Sequence, residues 1–310
     1  MKKTILLIIF SLLLKVGLFA NTNTSGIEFK LENGYWANIE RSFITVLPKQ
    51  RFEIELKSEN INNLVLTKSA GELDVYEPGK WIFIAPEKSG NYQLSFIDSV
   101  TNKTFDMVLF VMVPATQMKG EYLNGYRIGK YPDNSFKGKR NYKKPTGFIE
   151  VTRENKDLFI TPHFQLKQFL CKQSSGWPKY VLLNPKLLIK LEYLLTELNK
   201  DGRNIKTLFI MSGYRTPYYN KSLGNVKFSR HMFGDAADIY VDENNDSVID
   251  DLNHDGKHTM SDEMVIYKIV NSFDNDPKFK HLAGGIGKYN KNSRHTYFIH
   301  IDTRGYKARW

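Results

Sequence analysis

Two imidazoles and a carboxylate stand in the last third of the chain at spacings that suit a divalent metal. His231 and Asp238 lie seven positions apart in SRHMFGDAAD, and His300 follows in YFIHIDTRG. Zinc takes imidazole nitrogen and carboxylate oxygen, and a catalytic site uses three protein ligands and leaves a fourth position open. Alternate residues of a strand share a face, so Phe298, His300 and Asp302 can address one cavity. SGYRTP sets Arg215 just past an expected strand, where a guanidinium could hold a carboxylate or a polarised carbonyl oxygen. Spacing alone leaves a plainer reading open, a hydrogen-bonded core histidine beside a capping aspartate.

The elements that must position these groups are legible from period and punctuation. In NPKLLIKLEYLLTELNKDG, Asn184 caps, Pro185 takes the first helical position, and Gly202 follows the end. Leu187, Leu188, Leu191, Leu194, Leu195 and Leu198 form one apolar face. TLFIMSG and AADIYV read as strands, SDEMVIYKIVNSF as a helix, and LAGGIG and YFIHIDT as closing strands, the order of an α+β domain. Upstream, from about residue 27 to 114, the period is two. Phe52, Ile54 and Leu56 alternate with Glu53, Glu55 and Lys57, YQLSFID repeats the pattern, and turns such as EPGK separate the runs. That half predicts an all-β, immunoglobulin-like sandwich. The expected division is a signal peptide over 1–20, the sandwich over 21–115, a basic linker over 116–150 and the α+β domain over 151–310.

Compartment and charge narrow the function classes. Lys2 and Lys3, then an apolar run from Ile5 to Leu14 and a tail ending at Ala20, describe a secretory signal peptide. The run falls short of the roughly 20 apolar residues of a membrane span, with an uncleaved anchor as the alternative. The protein is therefore expected in the periplasm or secreted, with no stable membrane insertion once the signal is cut. Cys171, the one cysteine, sits in FQLKQFLCK and reads as a buried thiol. The formal net charge of +11 favours anionic envelope polymers for an exported chain. Nucleic acid is not expected as a partner. Lys137, Lys139, Arg140, Lys143 and Lys144 crowd the segment expected to be a solvated linker.

With these motifs in sequence, the chain resembles the zinc D-Ala-D-Ala carboxypeptidase and murein endopeptidase family, whose fold is shared with hedgehog signalling domains. The resemblance rests on Ser229, His231, Gly234, Ala236 and Asp238, then His300 and Asp302, with Ser212, Gly213, Tyr214 and Arg215 upstream. It covers about residues 158 to 310 and not the sandwich. It implies a zinc ion on His231, Asp238 and His300, Arg215 as the substrate or transition-state clamp, Ser229 supporting the site, and peptidoglycan as substrate and partner. In the carboxypeptidase branch an acid three positions before the last histidine acts as general base. Here that position is Tyr297. His295 and Asp302 are the nearby candidates for the base, Asp302 rather as the group that orients a ligand or Arg215. The departure also keeps open a non-catalytic wall-binding protein with a structural zinc.

A separate acidic stretch, VDENNDSVIDDLNHDGKHTMSDE, offers a second metal. Asp251, Asn253, Asp255, Gly256 and Asp262 fall on positions 1, 3, 5, 6 and 12 of a calcium loop, with the carbonyl of Lys257 at position 7. Asp242, Asn244 and Asp246 begin a poorer copy, with Ser247 where glycine belongs. Both calcium and an ion-free loop of Asx turns fit this pattern. Thr259 and Asp262 also fit a capping box that would only start the next helix.

Overall fold

A computed structural model describes residues 26–32 and 34–310; the signal peptide expected over 1–20 lies outside the described residues. The N-terminal half is two facing sheets. One orders its strands Trp36–Ala37, Glu28–Lys30, Arg51–Lys57, Lys80–Ile84 and Glu72–Glu77; the other orders Arg41–Val46, Thr104–Val111, Gly90–Asp98 and Leu64–Lys68. All neighbours run antiparallel except Arg41–Val46 and Thr104–Val111, which are parallel. The alternation read from RFEIELK holds, since Phe52, Ile54 and Leu56 are buried while Arg51, Glu53 and Lys57 are exposed. Aromatic pairs join the two sheets: Phe29 stacks on Phe105 and Trp81 meets Phe96 edge-on, each at 5.0 Å between centroids.

The C-terminal half carries the candidate ligands on one five-stranded sheet, ordered Phe209–Ser212, Ala236–Tyr240, Phe298–Asp302, Gly285–Tyr289 and Ala308–Arg309. Its pairings are antiparallel except the last, which is parallel. The helix Pro185–Asn199 starts where the cap predicts, with the Asn184 side chain accepting from the Lys186 amide at 3.0 Å, and all six leucines of its apolar face are buried. Lys190 is buried with them, a charge on that face that the apolar pattern does not predict. Its ammonium donates to the carbonyls of Leu282 and Asp302 at 3.1 and 3.0 Å, tying the helix to the end of a ligand-bearing strand. The second long helix, Met260–Ser272, opens on the Thr259–Asp262 capping box. Cys171 is buried, as its neighbours suggested.

The segment read as a solvated linker is packed onto the C-terminal half. Its lysines do face water, with Lys137, Lys143 and Lys144 exposed, but Tyr126, Ile128, Tyr131, Tyr142 and Phe148 are buried. The Tyr131 hydroxyl donates to the Met232 carbonyl at 2.8 Å and lies 3.0 Å from the Tyr214 hydroxyl. Tyr142 and Phe233 meet at 5.2 Å, and Phe136 and Phe228 at the same separation. Aromatic anchors spaced among the lysines bind this stretch without a regular period. Among the described residues no helix is long and apolar enough to cross a membrane.

Candidate metal centre

Register brings the candidate ligands together. Asp238 stands directly opposite His300 across the antiparallel pair, so their side chains leave the sheet on one face, and Ser212 stands opposite Asp238 on the other side. His231 reaches the same place from the short turn Arg230–Phe233 that precedes the strand. That turn ends at Gly234, whose φ is +72°. A Cβ there would lie 2.5 Å from the Leu182 carbonyl, so both the conformation and the close approach demand glycine. The Gly234 carbonyl accepts from the Asn184 amide at 2.9 Å, which clamps the turn against the start of the helix.

The result is a small triangle of lone pairs. His231 Nε2 lies 3.1 Å from both Asp238 Oδ1 and His300 Nδ1, and the latter two are 2.8 Å apart. Their neighbours fix which atoms point inward. His231 Nδ1 faces the Gly213 carbonyl at 2.7 Å; a carbonyl only accepts, so Nδ1 carries the hydrogen and Nε2 is left as a donor to metal. His300 Nε2 donates to Asp302 Oδ2 at 3.2 Å, which leaves Nδ1 inward. Two imidazole nitrogens and a carboxylate oxygen, all buried, converge within 4.8 Å of one another. The donor set and the outer partners that orient each histidine fit zinc. Among the described residues no other group of three His, Cys, Asp or Glu side chains converges in this way.

Charge at the centre follows from burial and pairing. Burial holds the Asp238 carboxyl up, but His231 and His300 outweigh it and draw its pKa well below the usual carboxylate range. Burial, with Arg215 nearby, lowers His231. Burial also lowers His300, but its hydrogen bonds to Asp238 and Asp302 prevail and push it up to about 9. Zinc must displace that proton, so affinity falls as pH drops below about 9, by about tenfold per unit while one proton is released. Zinc titrations between pH 6.5 and 9 in a weakly competing buffer check this; an affinity flat across that range would contradict it.

The remaining expected residues sort differently. Arg215 belongs to the site, but it is already engaged: its guanidinium pairs with Asp238 Oδ2, and its Nε donates to Ser212 Oγ at 2.8 Å. Asp302, expected as a catalytic candidate, is fully buried behind His300 and bound by Arg304 and by the Gly285 amide. It orients a ligand and is badly placed to take a proton from substrate. Ser229 accepts from the Met232 amide through its carbonyl, and its side chain makes no capping bond. His295 is half-buried in the turn before the strand, its ring edge-on to Phe298 at 4.9 Å and its nitrogens facing Asn292 and the Thr296 carbonyl. Tyr297 is half-buried, with Lys291 Nζ 5.7 Å from its ring centre. Sequence reasoning named Gly213 only as part of the SGYR motif, without its role, and missed Arg304. The first acts through its backbone carbonyl, a role the side-chain pattern does not show; the second is visible only as the charge two positions after Asp302.

The calcium loop is not supported. Asp262 would have to be the bidentate ligand, but Oδ1 accepts from the Leu252 and Asn253 amides and Oδ2 from the Thr259 amide. Asp251 accepts from the Asp255 and Gly256 amides, and Asp255 from that of Lys257. In the poorer copy, Asp242 accepts from the Asp246 and Ser247 amides. Asn253 bonds only within the same loop. These carboxylates are spent on the turns of the loop, the Asx-turn alternative.

Residues 162–272 match the family model described as Peptidase M15. This is a zinc peptidase family that includes D-Ala-D-Ala carboxypeptidase. The match spans Arg215, His231 and Asp238 and stops before His300, which the sheet register supplies. No curated protein matches the chain.

Proposed function

We propose that the protein is an exported zinc metallopeptidase that hydrolyses amide bonds in the stem peptides or cross-links of peptidoglycan, on a domain of the hedgehog/D,D-peptidase fold joined to an immunoglobulin-like sandwich. The observation that carries this is the convergence of His231 Nε2, Asp238 Oδ1 and His300 Nδ1, each held in the ligating form by an outer partner. The match to the Peptidase M15 family model supports the reaction class. The excess of positive charge suits an anionic wall polymer.

His231, Asp238 and His300 would hold the zinc, which when bound acidifies a coordinated water and polarises the scissile carbonyl. Arg215 restrains Asp238 through one carboxylate oxygen and keeps further N–H groups for a substrate oxygen. Gly213 and Asp302 fix the two imidazoles so that Nε2 of His231 and Nδ1 of His300 face inward. His295 is the base in this reading. It lies beside Phe298 on the strand that carries His300, and with Tyr297 in the acid's usual place no carboxylate competes for the role.

Digestion of purified muropeptides by the zinc-loaded protein, followed by mass spectrometry of the products, tests the proposal. The wild type releases fragments cut at a stem or cross-link amide, chelation stops this, and added zinc restores it. His295→Ala keeps its zinc and lowers kcat by about 10²–10³-fold. If the zinc-loaded wild type cuts no stem peptide or sacculus, the peptidase reading fails in favour of a wall-binding protein with a structural zinc.

A further inference from the structure

Trp310 is held against the metal centre by the fold, yet half its surface is open. Gly287 stands directly opposite His300, so a side chain there would leave the sheet on the metal face. The indole fills that space: a Cβ at Gly287 would lie 2.3 Å from Trp310 Nε1, and one at Gly285 would lie 3.0 Å from its Cη2. Two backbone bonds pin the residue, Trp310 N to the Ile286 carbonyl at 3.3 Å and Lys288 N to the Trp310 carbonyl at 3.0 Å. The indole N–H donates to the Tyr289 hydroxyl at 2.8 Å. Its ring centre lies 5.2 Å from that of His300, and the Arg304 guanidinium is also 5.2 Å from the ring. Even so, Trp310 is 47 % exposed.

Stability alone does not call for this arrangement, because burying an indole stabilises only in proportion to the area hidden. A rigid, half-open aromatic ring loses little entropy when something packs on it, which is how aromatic anchors supply binding energy. Across the sheet, on the far side of the ligands, stands the cation Arg215. A peptide laid over the metal would thus meet a charged end and an apolar end.

We propose that Trp310 is the apolar wall of the substrate cleft and sets specificity there. It packs on the aliphatic side chain of a residue flanking the scissile amide and favours a methyl-bearing residue over glycine. This rests on the peptidase reading. The rival role, propping the His300 ring, predicts different losses.

The test is a set of stem peptides with alanine or glycine at each position flanking the cut bond, given to the zinc-loaded wild type, Trp310→Phe and Trp310→Ala. At one of those positions the wild type favours alanine by about tenfold in kcat/KM. Trp310→Phe retains most of that preference. Trp310→Ala loses it, chiefly through KM, with zinc content unchanged. A preserved ratio in Trp310→Ala overturns the proposal, and so does a loss of zinc or kcat with the ratio intact. Should the zinc-loaded wild type cut none of the peptides, the peptidase reading falls. The same pairs then decide this inference by calorimetry: a dissociation-constant preference abolished in Trp310→Ala sustains it, and equal constants in the wild type overturn it.

Discussion

Alanine at His231 yields a folded protein that retains no zinc and hydrolyses stem peptides more than about 10³-fold more slowly in kcat/KM. The substitution removes one corner of a triangle whose edges are 3.1, 3.1 and 2.8 Å. The two donors left, Asp238 Oδ1 and His300 Nδ1, are near enough to share a proton, which then competes with the metal unopposed. The fold survives because the turn that carried His231 is held by other means: the positive φ of Gly234, the Asn184 amide on its carbonyl, and the Arg230–Asp235 pair. Metal analysis beside circular dichroism separates the two effects. A variant that keeps both zinc and activity would mean that His231 is not a ligand.

One residue earlier the expectation reverses. Arg230→Ala costs about 3–5 kcal/mol of stability, because it strands a buried carboxylate. Arg230 Nε donates to Asp235 Oδ1 at 2.9 Å, its Nη2 closes a second bond to Oδ2, and its Nη1 donates to the Asn141 carbonyl at 2.9 Å. The guanidinium also lies 4.2 Å from the ring centre of Tyr142. Burial pushes the Asp235 carboxyl up to about 6 even though Arg230 pulls the other way. The raised folded pKa means that the native state holds this proton more tightly than the unfolded chain does, so stability declines as pH rises from about 4 toward 6. Without Arg230 the carboxyl rises further. The variant's deficit is therefore largest above pH 7 and shrinks in acid, where Asp235 is neutral. Denaturant unfolding at pH 5 and pH 8 checks the sign; an equal deficit at both would contradict it.

The parts of this protein that sequence reveals are those that repeat or punctuate. Alternation in RFEIELK and the leucine face behind Asn184 and Pro185 each encode an element locally, and both form as read. The candidate ligands were legible through the resemblance, since the spacing of His231 and Asp238 alone also allowed a core histidine; strand register then brings them together with His300. The outer partners were not. Gly213 contributes a carbonyl, Arg304 holds Asp302 in place, and Trp310 reaches the site only because Gly285 and Gly287 leave room. Residues 116–150 misled for a related reason: their charge is local and obvious, while the partners of Tyr131 and Tyr142 lie about a hundred residues downstream. The acidic loop matched a calcium spacing because Asx turns and oxygen ligands draw on the same residue types.

X-ray absorption at the zinc edge of the purified protein decides whether His231, Asp238 and His300 hold the metal. The expected result is one zinc per chain, bound by two imidazole nitrogens and one carboxylate oxygen at about 2.0–2.2 Å, with a light-atom ligand in the fourth position. In His231→Ala this signal disappears. A sulfur scatterer at about 2.3 Å, or an unchanged spectrum in that variant, would place the metal elsewhere and contradict it.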